Sequence, residues 1–353
     1  MNQLYYQSRQ QRYQHRYQLI DHCNTQSHDW VLRIDPLQSY QFRRQPSNLD
    51  LSIATALTRI RQQYSKIRLF YSGGLDSHFV MQHCLRNQIH LDEIYSVIKT
   101  PFQNSLLTAL DEGVNSAQPF LQEVSEQLLR TKVYTPVLTH EFYNKFYAVD
   151  DYWKYSYLMF IIEPSRVCNI INGFELDNKD VCNLAGIDTP FVYWDQGWKF
   201  CFVDLQFMPE HSNQQSSLVH SLSLQDPEFL QAYVNAIVDQ MELYPDHRTR
   251  FSWHNMLKYG SKFIQRLVPE MQLVNGQMWG LRLPKSSGIA PPATASFMEK
   301  KLHANFRSFM YWQQAQQEQP AWLDRWINST DWDWVEKCQK FGGVFTDQFV
   351  LHD

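Results

Sequence analysis

The sequence has no CxxC pair. Its six cysteines, Cys23, Cys84, Cys168, Cys182, Cys201 and Cys338, are scattered. That excludes a zinc ribbon and a dithiol redox motif, and reduced thiols are the simplest reading. No stretch of about 18 apolar residues occurs, and Met1-Asn2-Gln3-Leu4-Tyr5-Tyr6 has no apolar leader character, so neither a membrane span nor a secretion signal is expected. Charge of one sign is lacking too: 32 Lys and Arg stand against 36 Asp and Glu, a net −4. A chain so balanced is not built as a whole to hold a polyanion, which argues against a large nucleic-acid partner. The 13 histidines include no HExxH or comparable ligand spacing. Nothing reads GxxxxGK[ST], and no GxGxxG follows a strand. These absences leave a soluble, cytoplasmic protein as the expectation.

What is present is enough apolar surface for a large core: 353 residues, 44% hydrophobic and 15% aromatic. Residues 1–64 read as an N-terminal extension with a strand at Trp30–Ile34 and a helix from about Leu51 to Tyr64. The tyrosines and Arg9, Arg12 and Arg16 of this extension, if helical, would form one basic, aromatic strip or a solvated, partner-facing surface. Residues 65–210 alternate strand and helix. Ile67–Tyr71, Ile94–Ile98, Val133–Leu138 and Val167–Ile171 are apolar runs, separated by helical runs to Asn87, over Leu110–Leu129 and near Tyr152–Ile162. This alternation predicts an α/β fold with a doubly wound parallel sheet. Residues 211–353 read as a mostly helical region that closes on substrate. Its tryptophans, among them Trp312, Trp322, Trp326, Trp332 and Trp334, are expected to be core packing rather than a ligand cage.

The chemistry concentrates at Tyr71-Ser72-Gly73-Gly74-Leu75-Asp76-Ser77, between the first core strand and its helix. A helix N-terminus at the carboxyl end of a parallel strand offers free N–H groups and the positive end of a dipole. Gly73 and Gly74 let backbone approach a phosphate, and the Ser72 and Ser77 hydroxyls add hydrogen bonds. Five fixed positions at residue usages of roughly 7% or less arise by chance on the order of 10⁻⁶ per site.

This segment resembles the pyrophosphate loop, SGGxDS, of the N-type ATP pyrophosphatases, and is most similar to that of the synthetase domain of asparagine synthetases. The resemblance implies an adenine nucleotide α-hydrolase (HUP) fold, ATP and Mg2+ as cofactors, and cleavage of ATP to AMP and pyrophosphate. Carried over by residue, it places Ser72, Gly73, Gly74, Leu75, Asp76 and Ser77 on the pyrophosphate and the turns after Tyr71 and Ile98 on the adenosine. Asn172-Gly173-Phe174-Glu175-Leu176-Asp177 is similar to the SGExxD segment of the same group. Here Gly173 and Asp177 match, Phe174 stands where the motif has glutamate, and Glu175 is one place off. The implied metal ligands are Asp76 and Asp177, with Glu175 as a substitute. Lys258, or Lys262 one turn later, is the implied cation at the α-phosphate.

The function expected is an amide-bond-forming ligase that adenylates a small-molecule or peptide carboxylate and transfers it to an amine or ammonia. Glutamine-dependent asparagine synthetases begin with a catalytic cysteine at residue two. This chain has Asn2, so it is expected to lack its own glutaminase and to draw on ammonia, an amine or a partner subunit. Two alternatives stand beside it: a tRNA- or nucleotide-modifying enzyme that adenylates a base oxygen, and a non-catalytic nucleotide-binding module.

Overall fold

The computed structural model describes residues 4–8, 11–13, 18–20, 30–98, 111–148, 180–186, 190–202, 219–259, 313–333 and 346–353. It is a mixed α/β structure built on three sheets.

The N-terminal sheet joins β1 (Leu4–Ser8), β2 (Gln11–Tyr13) and β3 (Trp30–Ile34) in the order β2-β1-β3, both pairs antiparallel. Residues 11–13 are therefore extended, which corrects the expected helical placement of Arg12; Arg9 and Arg16 lie outside the described residues. The physical reason is burial: pairing β1 with β2 hides Tyr6 and Tyr13, while Arg12 lies over the Tyr5 ring at 4.5 Å.

Helix α1 (Leu49–Gln63) follows. The Asn48 side chain accepts from the Leu51 N–H at 2.9 Å, and Leu49, Ile53, Ala56, Leu57 and Ile60 form the buried stripe. The chain then enters β4 (Lys66–Phe70), α2 (Leu75–Arg86), β5 (Glu93–Tyr95), a π-turn at Gly113–Ala117 that runs into a short helix Gln118–Glu123, and β6 (Lys132–Tyr134). After α3 (His140–Phe146) come β7 (Val181–Leu184), β8 (Phe191–Trp194), β9 (Trp198–Cys201) and β10 (Val219–His220).

Five of these strands form one sheet in the order β10-β7-β4-β5-β6, and every pair in it is parallel. The first strand, β4, is central; the chain adds β5 and β6 on one side, then returns to add β7 and β10 on the other. Strand order thus reverses between β4 and β7. The fifth strand lies beyond residue 210, in the segment expected to be helical. Strand Val167–Ile171 and the helix near Tyr152 fall outside the described residues, and the strand found beside β4 is Val181–Leu184.

Helix α4 (Pro227–Glu242) starts with Asp226 accepting from the Phe229 N–H at 2.9 Å, ahead of a proline at the first helical position. It buries Phe229, Leu230, Tyr233, Val234, Ile237, Val238 and Met241 against α1 and the rest of the core. Beyond α5 (Trp253–Tyr259) and α6 (Ala321–Ser329), β11 (Phe349–Val350) pairs antiparallel with β9 to make a sheet β11-β9-β8. In α6, Trp322 and Trp326 are buried, and Trp322 lies against Tyr143 of α3 and Tyr147 at its end while its indole N–H donates to His140 Nδ1 at 3.0 Å. These two tryptophans are core packing, as expected. Among the described residues no helix is long and apolar enough to cross a membrane.

Candidate functional site

The central strand delivers the chain to the glycine loop at its carboxyl end. The Tyr71 N–H still donates to the Tyr95 carbonyl at 2.8 Å, so the ladder of β4 with β5 runs up to the first loop residue. Gly73 then takes φ +81°, a left-handed value suited to glycine, and Gly74 returns to extended backbone as the residue before α2. The His78 N–H donates to the Gly74 carbonyl at 2.9 Å and opens the helix.

The two serines brace this turn from inside. The Ser72 N–H donates to Ser77 Oγ at 3.2 Å, the two hydroxyls lie 3.1 Å apart, and the Gly74 N–H donates to Ser72 Oγ at 3.2 Å. Ser77 is buried, whereas Ser72, Gly74, Leu75 and Asp76 are half-buried. A helix leaves its first N–H groups without intrahelical acceptors, so the start of α2 presents donors and positive potential at this place. The arrangement can bind an anionic group.

Three neighbours shape the loop, and none was singled out from sequence. A Cβ on Gly73 would lie 2.7 Å from the Ala117 amide nitrogen and 2.8 Å from the Glu112 carbonyl oxygen, so the π-turn is packed directly on it. A Cβ on Gly74 would lie 3.3 Å from Glu112 Oε2. On the other side, a Cβ on Gly186 would lie 2.8 Å from the Ser77 nitrogen, which shows how closely the end of β7 abuts the start of α2. Gly186 follows the buried run Val181–Leu184, and its place beside the loop comes from the pairing of β7 with β4.

Beneath the loop, the Tyr71 hydroxyl is 2.7 Å from His78 Nδ1, and Phe120 meets the His78 ring edge-on with centroids 4.4 Å apart. Burial pushes the Tyr71 hydroxyl up, and burial followed by the Arg86 charge pushes His78 down to about 4. Burial thus favours the uncharged form of each, and the hydrogen bond between them braces the loop from below. The thiols of Cys84, Cys182 and Cys201 are buried and pushed up to about 12, which makes them core residues and not nucleophiles.

Of the other residues expected at the site, Ile98 lies just past β5, half-buried, with its N–H donating to the Pro136 carbonyl at 3.0 Å and its carbonyl accepting from the Leu138 N–H at 2.9 Å. It therefore continues the β5–β6 pairing at the same edge of the sheet as the loop. Gly173, Glu175 and Asp177 lie outside the described residues. Lys258 falls in α5, which packs on β8, and its side chain is also outside the described part. Among the described residues no group of three or more His, Cys, Asp or Glu is arranged to hold a metal ion. The Ser72 and Ser77 hydroxyls and the Glu112 Oε2 lie at the loop, and Asp76 stands in the first turn of α2 beside them. The space beside Gly73 is taken by the Ala117 and Glu112 backbone, and hydroxyl and carboxylate oxygens of this kind are the donors that a hard divalent cation takes. Neither the known protein-family models nor the curated proteins include a match to this sequence.

Proposed function

We propose that this chain is an ATP-dependent, AMP-forming ligase that activates a carboxylate and passes the acyl group to an amine or ammonia. The observation that carries this reading is the place of Ser72–Ser77, at the carboxyl end of the central strand where strand order reverses. In open parallel sheets that crevice is where ligands settle. The strand order also fits a doubly wound sheet of the adenine nucleotide α-hydrolase kind. In this reading residues 65–210, extended by β10 and α4, bind ATP, and the remainder of 211–353 closes on the substrate.

The loop N–H groups and the Ser72 and Ser77 hydroxyls bind the β- and γ-phosphates, and Gly73 lets the loop take the left-handed turn that aims them. The turns after Tyr71 and Ile98 receive the adenosine. Asp76, Asp177 and Glu175 are the carboxylates assigned to a divalent cation, and Lys258 is the charge assigned to the α-phosphate. Magnesium held by these carboxylates would offset negative charge on the departing pyrophosphate. A carboxylate oxygen of the substrate bonds to the α-phosphorus as the bond from that phosphorus to the bridging oxygen breaks, and pyrophosphate leaves. The nitrogen nucleophile then bonds to the acyl carbon, releases a proton to solvent, and AMP departs with the electron pair.

Incubation with ATP labelled at the α-phosphate, magnesium, and panels of carboxylates and amines tests the reading. AMP and pyrophosphate are expected, and ADP would overturn it. Tight ATP binding without turnover would identify a non-catalytic nucleotide-binding module, and turnover only with an RNA or nucleoside acceptor would identify a base-modifying enzyme. Asp76→Asn is expected to abolish AMP formation while leaving the melting temperature within a few degrees; retained turnover would remove Asp76 from the mechanism.

A further inference from the structure

We propose that Glu112 is a positioning residue for the triphosphate, supplying a carboxylate oxygen to the divalent cation that accompanies ATP in the Ser72–Ser77 loop. The inference rests on the ATP-binding reading of that loop.

One residue covers both glycines: the Glu112 carbonyl oxygen lies 2.8 Å from where a Gly73 Cβ would be, and its Oε2 lies 3.3 Å from where a Gly74 Cβ would be. This placement is built. The Asp111 side chain is buried and accepts from the Gly113 N–H at 2.9 Å, while the Asn115 N–H and side-chain amide donate to the Asp111 carbonyl at 3.0 and 2.9 Å. Gly113 is pressed on the end of β5, where a Cβ would come within 2.6 Å of the Val97 carbonyl. The segment then runs through a π-turn, Gly113–Ala117, an uncommon geometry that recurs at functional sites.

Glu112 brings a negative charge to the loop. Among the described residues no Lys or Arg forms an ion pair with it, and it is half-buried against a loop whose hydroxyls and N–H groups suit an anion. A carboxylate there repels a bound polyphosphate through a partly desolvated path, where screening is weak. A divalent cation between the two removes the conflict, because hard cations of this kind take both carboxylate and phosphate oxygens.

The test is a titration of the full chain with a non-hydrolysable ATP analogue, by calorimetry, across a Mg2+ series and in EDTA. Electron paramagnetic resonance of Mn2+ with the same analogue gives a second readout. Wild-type affinity is expected to rise with Mg2+. Glu112→Gln, close to isosteric, is expected to weaken binding in Mg2+ by at least the roughly 10–100-fold that losing a supporting ligand costs. In EDTA the same variant is expected to bind as well as wild type or better, a reversal that a merely structural role would not produce. Glu112→Asp should keep part of the Mg2+ dependence, and carries the test if the Gln variant does not fold. Equal Mg2+ dependence in wild type and variants, with unchanged Mn2+ spectra, would overturn the role of Glu112 and leave the loop reading standing. A wild-type chain that binds no nucleotide at any Mg2+ concentration would overturn the loop reading itself.

Discussion

Gly73 has φ +81°, and a Cβ there would meet backbone atoms of Ala117 and Glu112 at 2.7 and 2.8 Å. Backbone cannot swing aside as a side chain would. Gly73→Ala is therefore expected to cost about 2–4 kcal/mol, from left-handed strain plus overpacking, and to weaken nucleotide binding with it. Thermal unfolding and an ATP titration check this; a variant as stable as wild type would mean that the 112–117 segment shifts without cost. The buried histidines give a pH dependence at the same scale. Burial pushes His78 and His83 down to about 4, with Arg86 adding to the effect at both and Asp50 opposing it at His83. His83 Nε2 is 3.3 Å from Asp50, but a histidine neutral at pH 7 makes this a hydrogen-bonding contact more than an ion pair. The unfolded chain, with histidine near 6.5, takes up protons between pH 6.5 and 4 that the folded chain refuses. Stability is therefore fullest above pH 6.5 and falls as pH drops to about 4, by on the order of 3 kcal/mol per histidine. Urea unfolding at pH 7, 5.5 and 4.5 should show this slope, and His78→Phe should remove about half of it; an unaltered slope would assign the dependence to other groups. The loop residues themselves were legible in sequence, because glycine and small hydroxyl residues between a strand and a helix are a local pattern. Glu112 was not, since its role depends on where the chain returns about 35 residues later.

Three strands of the central sheet share one polar rung. Arg68 in β4 stands opposite Glu93 in β5 and Asn183 in β7, donating to them at 2.7 and 2.9 Å, and Lys66 joins Glu93 at 2.7 Å. All but Lys66 are buried. Burial pushes the Glu93 carboxyl up, yet the hydrogen bonds from Lys66 and Arg68 outweigh it and hold the group below its usual range. Removing one member leaves a buried charge poorly compensated, so Arg68→Met is expected to cost about 3–5 kcal/mol in chemical denaturation. The double variant Arg68→Met, Glu93→Met should recover much of that loss; no recovery would mean that the two residues act independently. Helix α1 and strands β4 and β5 were readable from sequence, since an i, i+4 stripe and a continuous apolar run are local signals. The π-turn was read as part of a helix over Leu110–Leu129, because five residues of π geometry leave the apolar spacing of Ala117, Phe120, Leu121, Val124 and Leu128 nearly helical. Strand β10, two residues long, owes its existence to its partner β7.

Across the whole molecule, residues far apart in sequence close on one another. Phe42 packs against Phe200 and Phe349 with ring centroids 4.9 and 5.6 Å apart, and the His352 N–H donates to the Phe42 carbonyl at 3.0 Å. Thr346 and Phe202 exchange two hydrogen bonds of 2.9 Å, and Arg33 pairs with Asp347. The segment 346–353 thus ties the sheet β11-β9-β8 to the chain entering α1. Phe349→Ala is expected to cost about 3–5 kcal/mol, the range for emptying a buried aromatic site. Limited proteolysis should then cut this segment first, and an unchanged cleavage pattern would show that the tie contributes little.

The sequence by itself determined the α/β alternation over the segments that were readable and the chemistry offered at Ser72–Ser77, since both are written in neighbouring residues. Only the tertiary structure decided what surrounds that loop. Strand order brought the end of β7 and Gly186 to one side of it and the π-turn with Glu112 to the other. The physical reason is that ladder hydrogen bonds and close backbone contacts join positions such as 68, 93 and 183, or 73 and 117. No local periodicity encodes those distances; they follow from burying all the apolar faces at once.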